Sequence, residues 1–217
     1  IKVVERLLAL GANINQPHNS AATPLHTACA QGHKKLVEIL VASGAEINRE
    51  TANGVTPLSV ACQFGHIKVV ECLLALGAKI NQPDNTGATP LYRACQDGHE
   101  SIVELLVASG AEINHGAANG VTPLFIACYY GHIKVVERLL ALGAHINQAD
   151  NTGVTPLYIA CEKGYENVVE ILVASGADIN LVTCFDRSPL SVALEKKHDK
   201  IVQILKGWIN SGKMKSN

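Results

Sequence analysis

The chain has 217 residues, a formal net charge of −1, 47% hydrophobic residues and only 4% aromatic ones. That apolar fraction supports a packed core, while the balanced charge excludes a general binder of nucleic acid or anionic membrane, which needs an excess of Lys and Arg to displace counterions from phosphate. Seven cysteines, an odd number, fit a reducing compartment better than a disulfide framework, and no apolar run is long enough to span a bilayer because Lys, Glu, Gly or Asn interrupts each one.

Ile1 lies inside a helical pattern with no initiator Met and no signal-peptide grammar, so a piece of a longer chain is expected. Residues 1–18 read as a second helix and its trailing turn. From there a period of 33 residues takes over: Thr23-Pro24-Leu25 returns at Thr56, Thr89, Thr122 and Thr155, and Ser188-Pro189-Leu190 keeps the phase. Gly32-His33, Gly65-His66, Gly98-His99 and Gly131-His132 keep step, with Gly164-Tyr165 as the variant. Asn48, Asn81, Asn114, Asn147 and Asn180 form a further column.

The unit at residues 118–150 shows what each copy builds. Thr122 is placed to cap a helix and Pro123 sits at its first position, where a missing N–H costs nothing. Leu124, Ala127 and Cys128 give that short helix a small packing face, and Gly131 ends it. His132 opens a second helix, as a hydrogen-bonding residue at its start, in which Val135, Val136, Leu139 and Leu140 recur at helical spacing; Gly143 supplies the left-handed cap. No unit buries its own apolar stripe, so neighbours must stack.

These motifs closely resemble the ankyrin repeat family, whose pattern is met nearly whole by residues 54–81, 87–114, 120–147 and 153–180. The resemblance implies an all-α repeat solenoid of helix-turn-helix units joined by β-hairpin-like loops, with a concave side that binds proteins. The expected organisation is 1–18, then repeats at 19–51, 52–84, 85–117, 118–150 and 151–183, and a capping repeat with tail at 184–217, all in one continuous domain. Ala21 and Asp186 replace a turn glycine, and Lys197 replaces the glycine between helices. Lys196, Lys197, Lys200, Lys206, Lys213 and Lys215 mark a polar C-terminal cap.

Two ladders invite a metal reading: Cys29, Cys62, Cys95, Cys128 and Cys161, and His33, His66, His99 and His132. Stacked helices lie roughly 8–10 Å apart. Zinc ligands must converge within about 2.0–2.3 Å of one ion, and disulfides need Cα atoms closer than about 7 Å. The ladders are therefore expected to be free core thiols and structural histidines, with Cys72 and Cys184 as ordinary thiols. No phosphate loop, nucleophile elbow or HExxH appears, so no enzyme activity, metal or cofactor is expected.

Function is sought where the repeat makes no demand. Residues 52–84 and 118–150 differ at seven of 33 positions, as if a two-unit block had been duplicated. Four of the seven fall on the first helix: Ser59/Phe125, Val60/Ile126, Gln63/Tyr129 and Phe64/Tyr130. In ankyrin-like arrays that helix faces the groove. Six of the nine aromatic residues (Phe64, Tyr92, Phe125, Tyr129, Tyr130 and Tyr158) also lie in three of its columns. Aromatic rings of this kind are frequent hot spots, although Tyr92, Phe125 and Tyr158 fit a packing role between helices equally well.

Gln63, Gln96, Glu162 and Lys163 flank the rings, and Arg93 stands four residues from Asp97, either pairing with it or gripping an acidic partner. Hairpin tips at Asn53, Val55, Asn119, Val121 and Phe185 offer a second row. Asn48, Asn114 and Asn180 also resemble hairpin asparagines hydroxylated in some ankyrin arrays, with bracing of the hairpin as the plainer role. The expectation is thus a monomeric, intracellular, non-catalytic scaffold binding one partner protein, with no nucleic acid and no membrane insertion. The rival is a targeting segment of a larger enzyme, or of a bacterial effector delivered to a host cell. An architectural spacer fits the clustered aromatics poorly.

Overall fold

The computed structural model describes residues 2–210, so Lys213 and Lys215 of the expected cap lie outside the described residues. The chain falls into two compact units, Ile1–Glu112 and Ile113–Asn217. The first holds α1 (Lys2–Ala9), α2 (Pro24–Ala30), α3 (Lys34–Ala42), α4 (Pro57–Gln63), α5 (Ile67–Ala75), α6 (Pro90–Gln96) and α7 (Glu100–Ala108). The second holds α8 (Pro123–Tyr130), α9 (Ile133–Ala141), α10 (Pro156–Lys163), α11 (Glu166–Ala174), α12 (Pro189–Glu195) and α13 (Asp199–Asn210). Among the described residues there are 13 helices and no strands, as expected of an all-α repeat solenoid.

Four of the five Thr-Pro-Leu starts, and the Ser-Pro-Leu start, cap their helices as their chemistry dictates, while Thr23 meets the His26 ring instead. The Thr56, Thr89, Thr122 and Thr155 hydroxyls accept from the amide three residues on at 3.1–3.3 Å, and Ser188 does the same at 3.1 Å. Proline follows at a position that needs no donor. The resulting inner helices are too short to persist alone and depend on packing. In the first unit α2, α4 and α6 pack side by side, each against its own outer helix α3, α5 or α7; in the second, α8, α10 and α12 do so with α9, α11 and α13.

The two layers meet on a repeated core. Leu58, Ala61 and Cys62 of α4 and Val69, Val70 and Leu73 of α5 are all buried, as are Leu124, Ala127, Cys128, Val135, Val136 and Leu139 in the other unit. Alanine and cysteine let inner helices approach closely, while each fully buried leucine or valine contributes about 1.5–3 kcal/mol.

The turn between helices is tight. The His66 amide reaches back to the Ala61 carbonyl at 3.0 Å, which requires Gly65 at φ 76°. A Cβ at Gly65 would lie 2.5 Å from the His99 ring. The three non-glycine substitutes keep the same backbone: Ala21, Asp186 and Lys197 sit at φ 62°, 55° and 60°. The fold therefore imposes left-handed geometry even where the sequence withholds the residue that adopts it freely.

The His column differs from expectation in its partner. His33, His66, His99 and His132 each precede an outer helix, but none caps it with its side chain. The rings look backwards instead: His66 Nε2 donates to the Ala30 carbonyl at 2.9 Å, His99 to Gln63 at 2.9 Å, and His198 to Glu162 at 3.2 Å. A carbonyl only accepts, so Nε2 carries the proton in each case.

Candidate functional site

In the second unit, the last turn of α8 projects two adjacent tyrosines. Tyr129 is half-buried and Tyr130 is 47% exposed. Their rings meet edge to face at 5.0 Å, and Tyr130 stacks on His132 at 6.0 Å with 24° between planes. From the end of α10, Lys163 holds its ammonium 4.2 Å from the centre of the Tyr129 ring. The ammonium is drawn to the electron-rich ring face, which braces an exposed aromatic ledge. Glu162, half-buried beside Lys163, gives its carbonyl to His198.

The other two aromatic residues on the inner helices of this unit have a different role. Phe125 and Tyr158 are 6% and 5% exposed. They share a column with Ser59, which is buried as well, whereas Tyr92 in that column is half-buried and Ser191 exposed. Burial pushes the Tyr158 hydroxyl up from its ordinary value. Both rings belong to the core, and of the two roles the sequence left open for them it is packing that the structure favours.

In the first unit, Phe64 is 55% exposed and Gln63 half-buried. Tyr92 is half-buried with the Arg93 guanidinium 5.9 Å from its ring centre. Arg93 does not turn to Asp97. It pairs with Asp84 in the preceding hairpin and donates to Gln96 Oε1 at 3.1 Å, while Asp97 stays exposed. Asp84 is buried, which alone would raise its carboxyl, but hydrogen bonds from Thr86 and Arg93 and the guanidinium charge outweigh burial and hold it below its ordinary value. Arg93 is thus committed to tying α6 to its own hairpin.

The hairpin tips split similarly. Asn53 and Asn119 are exposed, and their carbonyls accept the Asn85 and Asn151 amides at 3.0 Å. Val55 is half-buried, with its carbonyl bonded to His26 at 3.1 Å, and Val121 is buried. Phe185 is well exposed beside Leu181 and Val182. Of these three, the sequence points only to Phe185. Leu181 and Val182 stand in columns that other repeats fill with Arg49-Glu50, Gln82-Pro83, His115-Gly116 and Gln148-Ala149, which was the available signal. Tyr165, the variant in the Gly-His column, packs its ring on Gly131 in the place of a column histidine.

The family model for ankyrin repeats matches residues 1–84, 49–117, 73–150, 112–183 and 148–213, so that its copies overlap along the chain. The chain belongs to the ankyrin repeat family. Ankyrin repeats are in general modules of protein–protein interaction rather than catalysts. No curated protein matches this ankyrin chain significantly.

The polar ladders of the ankyrin units carry packing. Asn15, Asn48, Asn81, Asn114 and Asn147 each accept, through Oδ1, a backbone amide 31 residues on, at 2.8–3.0 Å. This is the bracing role. The ladder cysteines are free and buried, and burial pushes Cys29 and Cys161 up to about 12 and Cys62, Cys95 and Cys128 upward as well. Cys72 proves buried and Cys184 exposed. Among the described residues no three His, Cys, Asp or Glu side chains converge to hold an ion, and no helix is long and apolar enough to cross a membrane.

Proposed function

We propose that this ankyrin chain is a non-catalytic scaffold that binds a partner protein through the exposed side of its inner helices and hairpin tips, with the strongest contacts at Tyr129 and Tyr130. The observation that carries this reading is the braced ledge of Tyr129, Tyr130, His132 and Lys163. Repeat packing asks for none of the tyrosines, because the equivalent Gln63 and Phe64 occupy the same columns. Pre-positioned rings lose little side-chain freedom on binding, which is what gives tyrosine its weight at interfaces.

The test converts one repeat into the other. Tyr129→Gln with Tyr130→Phe should leave the melting curve unchanged and weaken a captured partner by about 2 kcal/mol, or roughly 30-fold. Proteins captured from lysate would be quantified by mass spectrometry against wild type and against Lys34→Ala with Lys68→Ala, which alters exposed lysines on α3 and α5. Normal capture by the tyrosine variant together with loss in the lysine variant would reverse the assignment.

A further inference from the structure

The hairpin before α12 breaks the pattern of the others. Phe185 occupies the column of Asn53, Thr86, Asn119 and Thr152, and Leu181 and Val182 stand where pairs such as Arg49-Glu50 and Gln148-Ala149 stand elsewhere. The polar residues of the Phe185 column are all exposed, so exposure belongs to the position at a hairpin tip. Phe185 keeps that exposure and loses the polarity: it is 76% exposed, with Leu181 and Val182 at 37% and 48%. A contiguous apolar tip in solvent marks a surface that meets something else.

Charge says what that is. The near-zero net charge excludes attraction over the whole surface, but it conceals a split. Residues 184–217 carry seven Lys and Arg against three Asp and Glu, whereas residues 1–183 carry eleven against sixteen. The basic side chains run on from the tip. Arg187, at the base of the hairpin, pairs with Glu195 in the last turn of α12, and Lys196 lies 3.9 Å from the same carboxylate. Lys197, Lys200 and Lys206 follow, all exposed, with Lys200 also reaching Glu166 at 3.2 Å. Such surface pairs are weak in water, so the positive excess still acts on an anion outside the chain.

We propose that this hairpin, with the basic run of α12 and α13, docks reversibly on an anionic lipid bilayer. Phe185, Leu181 and Val182 enter the interface, and the lysines attract the headgroups. Both halves are needed, because interfacial binding grows with the apolar area buried and with attraction to anionic lipid, and salt screens the second. A second copy of the chain fits less well, since it brings the same positive excess to the contact. An acidic protein needs preformed pockets for three apolar groups, whereas a bilayer accepts them at any spacing. This docking goes beyond the tyrosine ledge and does not use it.

The experiment sediments the full chain with vesicles of phosphatidylcholine alone and of phosphatidylcholine with about one third phosphatidylserine. The mixed vesicles should bind about 10-fold more tightly or better, and the difference should fade as salt rises. Leu181→Gln, Val182→Ala and Phe185→Thr together, the residues of the preceding hairpin, should leave the melting curve unchanged and weaken this binding about 10-fold. Lys197→Gly, which restores the turn glycine of other repeats, with Lys206→Gln should weaken binding to the mixed vesicles only. Tyr129→Gln with Tyr130→Phe should bind vesicles as wild type does, which separates this surface from the ledge. Wild type that ignores the mixed vesicles, or binds both kinds equally, overturns the proposal. So does a tip variant that binds as wild type. A dimer dispersed by the tip substitutions, without vesicle binding, would assign the patch to a second copy; loss of a captured acidic protein in that variant, again without vesicle binding, would assign it to a protein.

Discussion

The closely similar repeats at 52–84 and 118–150 separate what the repeat requires from what it leaves open. Their outer helices bury the same residues at the same places, Val69, Val70 and Leu73 against Val135, Val136 and Leu139. Ser59 and Phe125 differ greatly in size yet are both buried, and in both cases the amide still bonds the capping threonine. At the end of the inner helix the blocks show different side chains to solvent, Gln63 and Phe64 in one and Tyr129 and Tyr130 in the other, and outside that helix exposed Lys79 is replaced by His145 and buried Cys72 by half-buried Arg138. A repeat thus conserves its interior contacts while one helical end is free to vary, and that end is where recognition can change without refolding.

The largest expected effect would break the equivalence of the two interiors. Leu73→Ala and Leu139→Ala each remove a fully buried side chain and should cost about 2–5 kcal/mol. If chemical denaturation gave one cost several-fold below the other, the two cores would not be the same structure. Next comes the turn glycine. Gly65→Ala and Gly131→Ala both put a Cβ at positive φ, a strain of about 1–3 kcal/mol. The Gly65 variant should lose more, because its Cβ meets the His99 ring at 2.5 Å and that of Gly131 meets Tyr165 at 3.0 Å. The order of the two melting temperatures decides it.

The smallest effect concerns what holds the first block from its neighbour. His26 Nδ1 accepts the Thr23 amide at 3.1 Å, so Nε2 donates to the Val55 carbonyl. Burial lowers the His26 pKa below 6.5. The unfolded chain therefore binds the proton first, so this contribution is complete above pH 6.5 and is lost as pH falls through the folded value. Stability curves of wild type and His26→Tyr, the residue at Tyr92 and Tyr158 in the same column, should converge as pH drops below 6.5. Parallel curves across that window would rule out the assignment.

The repeat architecture was legible because it rests on local rules: threonine caps, proline starts, left-handed glycines and 3–4 residue spacing. Even the departures at Ala21, Asp186 and Lys197 were visible, and the backbone there keeps the glycine geometry. The site was less legible, since same-column residues share a sequence position but not a degree of burial. Tyr92 remains half-buried where Phe125 and Tyr158 are covered. The Arg93 partner was hidden for another reason: Asp84 reaches it across a hairpin, so helical spacing pointed to Asp97 instead. The backward reach of the histidines had the same cause, with each bond crossing 36 residues.

The asparagine braces constrain how such a gene can grow or shrink. Each bond joins a side chain to an amide 31 residues further on, inside a period of 33. Loss or gain of 33 or 66 residues brings an equivalent amide to every asparagine and leaves no broken link. A length that is not a multiple of 33 strands one asparagine and one amide, together with a histidine and its carbonyl. Whole-unit changes of length are therefore the ones that keep every brace.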